Sequence, residues 1–340
     1  MNNNFTKLSR RSVLQGLGVG TVLAAAPLRL GFAQGSTTMR FITAWEILLE
    51  QMHELNAIAG GHMADAGIEV EMTPGRGTSL AIQQVVADQA DISRVGALDL
   101  IKASAAQDTE LVSVGVSLQE GIFDVVSLQD KPINSPEEMR GKVIGVASIG
   151  GGTENMLNLM LSNAGVPVEE VERQAVGSSP GNVELLKQGR LDAFMPTVEG
   201  SMVLRRSGEP VHIWGADRFA PMPGGAIIVR RDYADANGDT VAAFMKAMHA
   251  SAQELLVADP NDIVARVEEK FEISANEDRD FRVQALTIYN YMALSQGREN
   301  LLRNVPEVWA SAVEQVAKAG IAEVADPESL YTNEFIDAAM

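Results

Sequence analysis

Short apolar stretches alternate along the chain with longer stretches in which apolar residues recur every three or four positions. The first pair is an apolar run at residues 39–44, followed by a helical stripe from Leu48 to Met63. Further strands are predicted at residues 68–72, 91–93, 111–117, 122–128, 142–147, 193–195, 211–214 and 226–230. Helices are predicted from residue 78, at residues 136–140 and at residues 153–164. Strands interleaved with helices indicate an α/β fold with mostly parallel sheets and flanking helices.

The pattern changes after Asp239, where apolar positions keep a helical period through the rest of the chain. Pro260, Pro306 and Pro327 interrupt this region, and proline ends a helix or occupies its first turn. We therefore predict a C-terminal region made of several helices.

A basic and then apolar segment opens the sequence. Residues 10–11 are a twin-arginine pair, an apolar stretch covers residues 13–27, and the small residues Gly31 and Ala33 precede Gln34. This order is typical of a twin-arginine export signal that is cleaved after Ala33. A retained membrane anchor is the alternative, although the apolar stretch is shorter than the ~20 residues that a transmembrane helix needs.

Composition narrows the classes of function. The 340 residues include 27 Lys+Arg and 45 Asp+Glu, a formal net charge of -18, and the basic leader makes the remaining chain still more acidic. Nucleic acid and anionic membrane surfaces need clustered cations, so neither is expected as a partner. The absence of cysteine excludes disulfides, thiolate sites and a lipid-modified N-terminal cysteine. The 4 histidines form no HExxH motif, and we expect neither a metal nor a cofactor.

One spacing occurs twice. Thr78 opens a predicted helix that leads to Asp91, and Ser179 opens one that leads to Asp192 after the same number of residues. Each unit runs from a loop through a helix and a polar turn to an aspartate and a strand. The repetition indicates either two similarly built halves or a coincidence between two βαβ units.

The order of these features resembles the periplasmic solute-binding proteins for alkanesulfonates, taurine, nitrate and thiamine precursors, which serve ABC transporters and include pyrimidine-synthase-like members. The likeness covers essentially the whole chain after the leader, and its specificity lies in the order of motifs that are individually weak. The residues that carry it are Trp45 and the segments 66–71, 75–79, 87–92, 139–146, 188–193 and 330–335.

The resemblance implies a two-lobed, type II periplasmic-binding-protein fold. The boundaries that we predict are a leader at residues 1–33, a first lobe at residues 34–118 and 222–340, which includes the C-terminal helices, and a second lobe at residues 119–221. The chain would cross between the lobes near residues 117–123 and 214–226. In the second crossing Gly224 and Gly225 would supply backbone freedom for a hinge.

A ligand pocket is expected where strands end and helices begin. Trp45 would cover an apolar part of the ligand, glycine turns before helices would offer backbone amides, Arg94 would bind an anion, and Glu199 would bind an amine. Each candidate also has a structural alternative as a core residue, a cap or a surface group. The predicted ligand-binding residues are Trp45, Glu46, Gly75, Arg76, Gly77, Thr78, Ser79, Arg94, Gly96, Ser117, Gln119, Gly150, Gly151, Gly152, Thr153, Ser178, Ser179, Thr197 and Glu199. Arg94 is expected at the cleft edge, so Arg94→Ala should weaken binding about tenfold to a hundredfold and leave the fold intact.

The resemblance implies a non-enzymatic periplasmic receptor, expected to be a monomer. It would capture a small organic solute and deliver it to an inner-membrane ABC permease with its ATPase. An extracytoplasmic sensor module is one alternative, and a thiamine-pyrimidine-synthase-like enzyme is another, although such enzymes use a cysteine-rich iron motif that this chain lacks. The ligand class stays open: Arg76 and Arg94 favour a sulfonate or carboxylate, whereas Trp45, Glu46 and Glu199 favour a pyrimidine or amine-type compound.

Overall fold

Two five-stranded sheets organise the protein in a computed structural model that describes residues 36–107, 110–274 and 278–340. The first sheet has the order β2-β1-β3-β10-β4 and the second has the order β7-β6-β8-β5-β9. The strands of the first sheet are β1 (Thr37–Thr43), β2 (Ile68–Thr73), β3 (Ile92–Val95), β4 (Leu111–Val116) and β10 (Ala226–Arg230). Those of the second are β5 (Asp124–Leu128), β6 (Val143–Val146), β7 (Glu172–Ala175), β8 (Ala193–Phe194) and β9 (Val211–Gly215). The predicted leader and its cleavage site lie outside the described residues.

The strand directions follow from the path of the chain. Strands β1, β2 and β3 are parallel, as are β6, β7 and β8, and helices connect them. Strand β10 enters the first sheet from the second and pairs antiparallel with β3 and β4, and β5 pairs antiparallel with β8 and β9. The α/β fold with flanking helices is confirmed, and each of its sheets combines parallel with antiparallel pairing.

Helices cover the sheets and form the C-terminal region. They are α1 (Met52–Ala59), α2 (His62–Asp65), α3 (Thr78–Val86), α4 (Ala97–Gln107), α5 (Gly152–Asn163), α6 (Val183–Lys187), α7 (Val198–Arg206), α8 (Arg231–Ala236), α9 (Gly238–Leu255), α10 (Pro260–Lys270), α11 (Arg279–Ala293), α12 (Pro306–Lys318) and α13 (Glu334–Asp337). Two prolines of the C-terminal pattern sit in the first turns of α10 and α12, which confirms the predicted breaks. Among the described residues, no helix combines the length and apolarity that crossing a membrane requires.

The first predicted helix is interrupted. A 3₁₀ turn at Leu49–Gln51 precedes α1, and Gly61 between α1 and α2 has a φ of 84°, in the left-handed region that favours glycine. The apolar stripe had predicted one continuous helix from Leu48 to Met63. The 3₁₀ turn matters for the site, because it places Glu50 beside the end of β3.

The repeated spacing corresponds to a repeated structure. The backbone N–H of Arg40 in β1 donates to Asp91 Oδ2 at 2.7 Å, and Asp91 N–H returns a bond to Arg40 O at 2.9 Å. In the second sheet Val143 N–H donates to Asp192 Oδ2 at 2.9 Å, and Asp192 N–H donates to Val143 O at 2.9 Å. Both aspartates therefore tie the start of one parallel strand to its neighbour, which confirms two similarly built sheets.

The chain passes from the first sheet to the second between β4 and β5, and it returns between β9 and β10. The two passages are hydrogen-bonded to each other: Gly224 N–H and Gly225 N–H donate to Leu118 O, and Ser117 N–H donates to Gly225 O. A Cβ at Gly224 would lie 1.7 Å from Glu120 O. The glycine at this position is thus required by close backbone packing, and the hinge role of the pair stays a prediction. The lobe boundaries stay a prediction.

The hydrophobic core is shared by both sheets. One cluster packs one face of the first sheet against helices that include α1, α9 and α11. A second cluster joins the other face to β6 of the second sheet through α4, α5 and α12, with Trp309 fully buried. Apolar burial of this kind provides the main stabilisation of the fold. Because the second cluster contains residues of both sheets, it holds the strand ends of both sheets against one shared space.

Candidate functional site

A cavity of about 290 Å³ lies at the carboxyl ends of strands from both sheets. Its walls come from the segments that follow β1, β3, β6 and β8, from the first turns of α3, α4 and α5, and from both passages between the sheets. Ligands of open α/β sheets bind at this end of the strands, where loops and helix N-termini converge. The fold therefore creates the expected pocket from elements that are far apart in sequence.

Nine of the predicted site residues line this cavity and ten do not. On the wall are Trp45, Glu46, Thr78, Arg94, Gly96, Gly152, Thr153, Ser178 and Thr197. Away from the wall are Gly75, Arg76, Gly77, Ser79, Ser117, Gln119, Gly150, Gly151, Ser179 and Glu199. In the second group Arg76 and Ser79 are exposed, and the others have contacts within the protein that supply structural roles. Direct contact of either group with a solute stays a prediction.

The glycine turn before α3 is used for backbone packing. Gly75 N–H donates to Trp45 O at 2.9 Å, and Gly77 N–H donates to Ala44 O at 2.8 Å. A Cβ at Gly75 would lie 1.9 Å from Thr43 O, so only glycine lets the turn approach β1 this closely. The turn thus fixes the loop that carries Trp45, a cavity residue that is 42% exposed.

Buried polar groups of the first passage are also committed to the protein. Gln119 Nε2 donates to the carbonyl oxygens of Asn300 and Arg303, each at 2.9 Å. Ser117 Oγ donates to Gly225 O at 3.4 Å. These bonds anchor the passage to the C-terminal region and to the returning passage.

Glycine turns and caps account for three residues of the second sheet. Gly150 has a φ of 74° and Gly151 is the N-cap of α5. Ser179 Oγ accepts a hydrogen bond from Gly181 N–H at 3.1 Å, which caps a short 3₁₀ helix. The turn before α5 leads directly to Gly152 and Thr153, which do line the cavity.

Arg94 lines the cavity but is buried, with a relative exposure of 5%. Its Nη2 donates to Glu50 Oε1 at 2.6 Å, and its Nε lies 3.6 Å from Glu54 Oε1. Burial raises the pKa of Glu54, and burial together with the charge of Arg94 lowers the pKa of His53 to about 4. The expectation of an edge-of-cleft arginine is therefore corrected: the guanidinium is the counter-charge of a buried acidic cluster.

Glu199 lies behind the cavity wall and connects elements of both sheets. Its Oε1 accepts hydrogen bonds from Glu50 N–H at 3.1 Å and from Tyr289 Oη–H at 2.9 Å. Glu199 is in the first turn of α7, which packs on the second sheet. Tyr289 belongs to the core cluster of the first sheet, and Glu50 pairs with Arg94 of β3 in that sheet. Burial, reinforced by the negative charge of Glu50, raises the pKa of Glu199 to about 7. Glu199 thus connects α7 to the 3₁₀ turn and to α11 by hydrogen bonds, a structural role that the sequence did not indicate.

The sequence analysis missed Asp99, in the first turn of α4. Its Oδ1 accepts from Asn155 Nδ2 at 3.0 Å, and Lys102 Nζ donates to Asn155 Oδ1. Burial raises the pKa of Asp99. Asp99 follows Gly96 closely, near the carboxyl end of β3, where the pocket was expected. This position would have indicated Asp99 as a site residue if the sequence analysis had predicted α4.

Apolar residues complete the walls and were also missed. They include Leu48, Val95, Leu98, Ile122, Phe123, Met156, Met195 and Met222. The cavity therefore combines a mainly hydrophobic surface with a few hydroxyl and carboxyl groups. Among the described residues, no group of three or more His, Cys, Asp or Glu side chains is arranged to hold a metal ion.

The two sheets, the passages between them and the cavity at the strand ends define the periplasmic-binding-protein fold. The NMT1/THI5-like family model matches residues 51–263, which is more than half of the sequence. The chain belongs to this family, which confirms the resemblance noted in the sequence. No curated protein sequence matches the chain.

Solved structures show the same fold at low sequence identity. A Candida albicans gene product with the generic periplasmic binding protein fold is 14% identical, with a TM-score of 0.65, over 87% of this chain and 96% of that one. The periplasmic aliphatic sulphonate binding protein SsuA from Escherichia coli is 14% identical, with a TM-score of 0.61, over 84% and 86%. The desulfurization enzyme DszB is 13% identical, with a TM-score of 0.57, over 89% and 98%.

Proposed function

We propose that the protein is a solute-binding receptor that captures a small organic molecule and delivers it to an ABC importer. The observation that carries the proposal is the cavity of about 290 Å³ at the strand ends, walled by residues of both sheets. Its size is at the lower end of the roughly 300–1,000 Å³ range of ligand sites. Structural neighbours include the periplasmic aliphatic sulphonate binding protein and the ligand binding component of an ABC-type import system, which supports this function.

Walls from both sheets suit capture by closure. Thr153 and Ser148 lie on the side of the second sheet, and Gly96 and Thr78 lie on the side of the first. A solute can contact both sides of the cavity at once only when the two sides are close together. Its binding energy therefore shifts the population of the protein toward the closed arrangement. An importer can then recognise the closed form.

Binding without chemistry is part of the proposal, although the fold also occurs in a desulfurization enzyme. The chain has no cysteine, and within the described residues the cavity wall contains hydroxyl groups but neither histidine nor lysine. A serine or threonine nucleophile needs an adjacent base. The wall residues therefore support binding better than they support acyl or group transfer.

Native mass spectrometry of the protein purified from its own cell envelope tests the proposal. We expect a small-molecule adduct that is absent from Gly96→Val, because the valine side chain would occupy cavity space. Gly215→Val is the matched control, since its Cβ would have only an ordinary contact of 3.6 Å with Asp124 Oδ1, away from the cavity. An adduct that persists in Gly96→Val would contradict the assigned site.

We further propose that the protein reaches the periplasm by the twin-arginine route, with cleavage after Ala33, and acts there as a monomer. Changing Arg10 and Arg11 to lysine is expected to leave unprocessed precursor in the cytoplasm, because the route depends on the arginine pair. Immunoblots of cell fractions measure this outcome. Normal periplasmic accumulation of the double variant would contradict the route.

A further inference from the structure

We infer that the solute carries a positively charged amine-type group, which Asp99 binds, beside an apolar body that the aromatic wall covers. The inference rests on the proposed receptor function and assigns the ligand class of its cavity. It favours one of the two classes that the sequence left open, and it does so with a residue outside the predicted set.

The basic side chain on the wall is already neutralised. Arg94 is the lining residue with a permanent positive charge among the described residues, and it is paired with Glu50 and lies near Glu54. An incoming sulfonate or carboxylate would have to share this guanidinium with two buried carboxyl groups. Because breaking a buried ion pair is costly, the arrangement disfavours an anion at this position.

Acidic groups remain on the wall after this pairing. Asp99 and Glu46 both line the cavity. The nearby ammonium group of Lys102 donates to Asn155 Oδ1, and Asn155 in turn donates to one oxygen of Asp99. Asp99 is therefore held in place by a neutral amide rather than by a direct ion pair.

Two glycines leave space around the second oxygen of Asp99. A Cβ at Gly96 would lie 3.2 Å from Asp99 Oδ2, and a Cβ at Gly152 would lie 3.5 Å from it. Both glycines are cavity residues, one from each side. The missing side chains leave this carboxylate oxygen accessible to a hydrogen-bond donor of the solute.

An aromatic ring borders the same position. The Cβ position at Gly152 is also 3.5 Å from Phe123 Cζ, and Trp45 lies on the wall with part of its ring exposed. Aromatic faces attract cations and cover apolar groups. A carboxylate in a cavity that aromatic and methionine side chains also line matches an ammonium group attached to a hydrophobic body.

Four probes with one phenylethyl body and different head groups test the inference: 2-phenylethylamine, 2-phenylethanol, 3-phenylpropionate and 2-phenylethanesulfonate. Binding to the full-length protein is measured by calorimetric titration at low ionic strength. We expect the amine to bind at least about tenfold more tightly than either anion, because a charge-assisted bond to a carboxylate is worth a factor of this size.

Asp99→Asn keeps the oxygen that accepts from Asn155 and removes the charge. We expect it to weaken amine binding about tenfold or more and to leave 2-phenylethanol binding unchanged. Asp65→Asn removes the same charge at an exposed position on α2. It is the matched control and should change the binding of neither the amine nor the alcohol.

Preferred binding of an anion, or an amine affinity that Asp99→Asn does not change, would overturn the inference. Absence of binding by all four probes would overturn it as well. In each case the adduct experiment with Gly96→Val decides the receptor function separately.

Discussion

Arg94→Ala is expected to lower the free energy of unfolding by about 3–5 kcal/mol, the typical cost of removing one partner from a buried ion pair. The substitution would leave Glu50 and Glu54 buried without their counter-charge. Burial raises the pKa of Glu54 and the charge of Arg94 opposes this shift, so without Arg94 the carboxyl group must either stay charged in the core or take up a proton, and both cost stability at neutral pH. Urea unfolding at neutral pH measures the change.

Two further variants separate the ion-pair effect from a general loss of packing. Arg76→Ala removes an exposed arginine and should change stability by less than about 0.5 kcal/mol. Adding Glu54→Gln to Arg94→Ala should recover part of the lost stability, because one uncompensated carboxyl group is removed. An Arg94→Ala protein as stable as the native one would show that Arg94 is not the counter-charge of the cluster.

Glu199→Gln is expected to remove part of the pH dependence of stability. Burial and the charge of Glu50 raise the pKa of Glu199 from 4.5 to about 7 in the folded protein. Since the folded-state pKa lies above the unfolded value, the stabilisation is complete below about pH 4.5. It is lost as the pH rises through about 7, to a total of about 3 kcal/mol.

Glutamine mimics the protonated carboxyl group and can still accept from Glu50 N–H and Tyr289 Oη–H. The variant should match the native protein near pH 4 and be more stable by about 2–3 kcal/mol near pH 8. Other buried groups also titrate, so the difference between variant and native protein isolates the contribution of Glu199. Glu334→Gln, at an exposed position, is the control. Parallel stability curves for Glu199→Gln and the native protein would contradict the raised pKa.

The elements that the sequence predicts well are those with a clear apolar period. The predicted strand at residues 226–230 coincides with β10, and the helix from Thr78 coincides with α3. Strand β7 was missed because its residues, ERQA, are mostly polar and form a sheet edge. The sequence analysis also assigned no helix to α4, and its unrecognised first turn hid Asp99.

The sequence predicted where the candidate site lies better than it predicted which of its charged groups are free to bind a solute. The rule that ligands bind at the carboxyl ends of strands correctly brought Arg94 and Gly96 to the cavity wall. The rule says nothing about partners from distant segments, such as Glu50 for Arg94 or Tyr289 for Glu199. Whether a charged group is free for a solute depends on these pairings, which only the folded chain reveals.

The central claim is that a small solute binds in the cavity between the two sheets, and a crystal structure of the protein with its co-purified solute tests it most directly. The account predicts electron density for one small molecule between Thr153 and Gly96, with a nitrogen atom within hydrogen-bond distance of Asp99 Oδ2. Density for the solute at any other surface, with this cavity filled only by water, would contradict it.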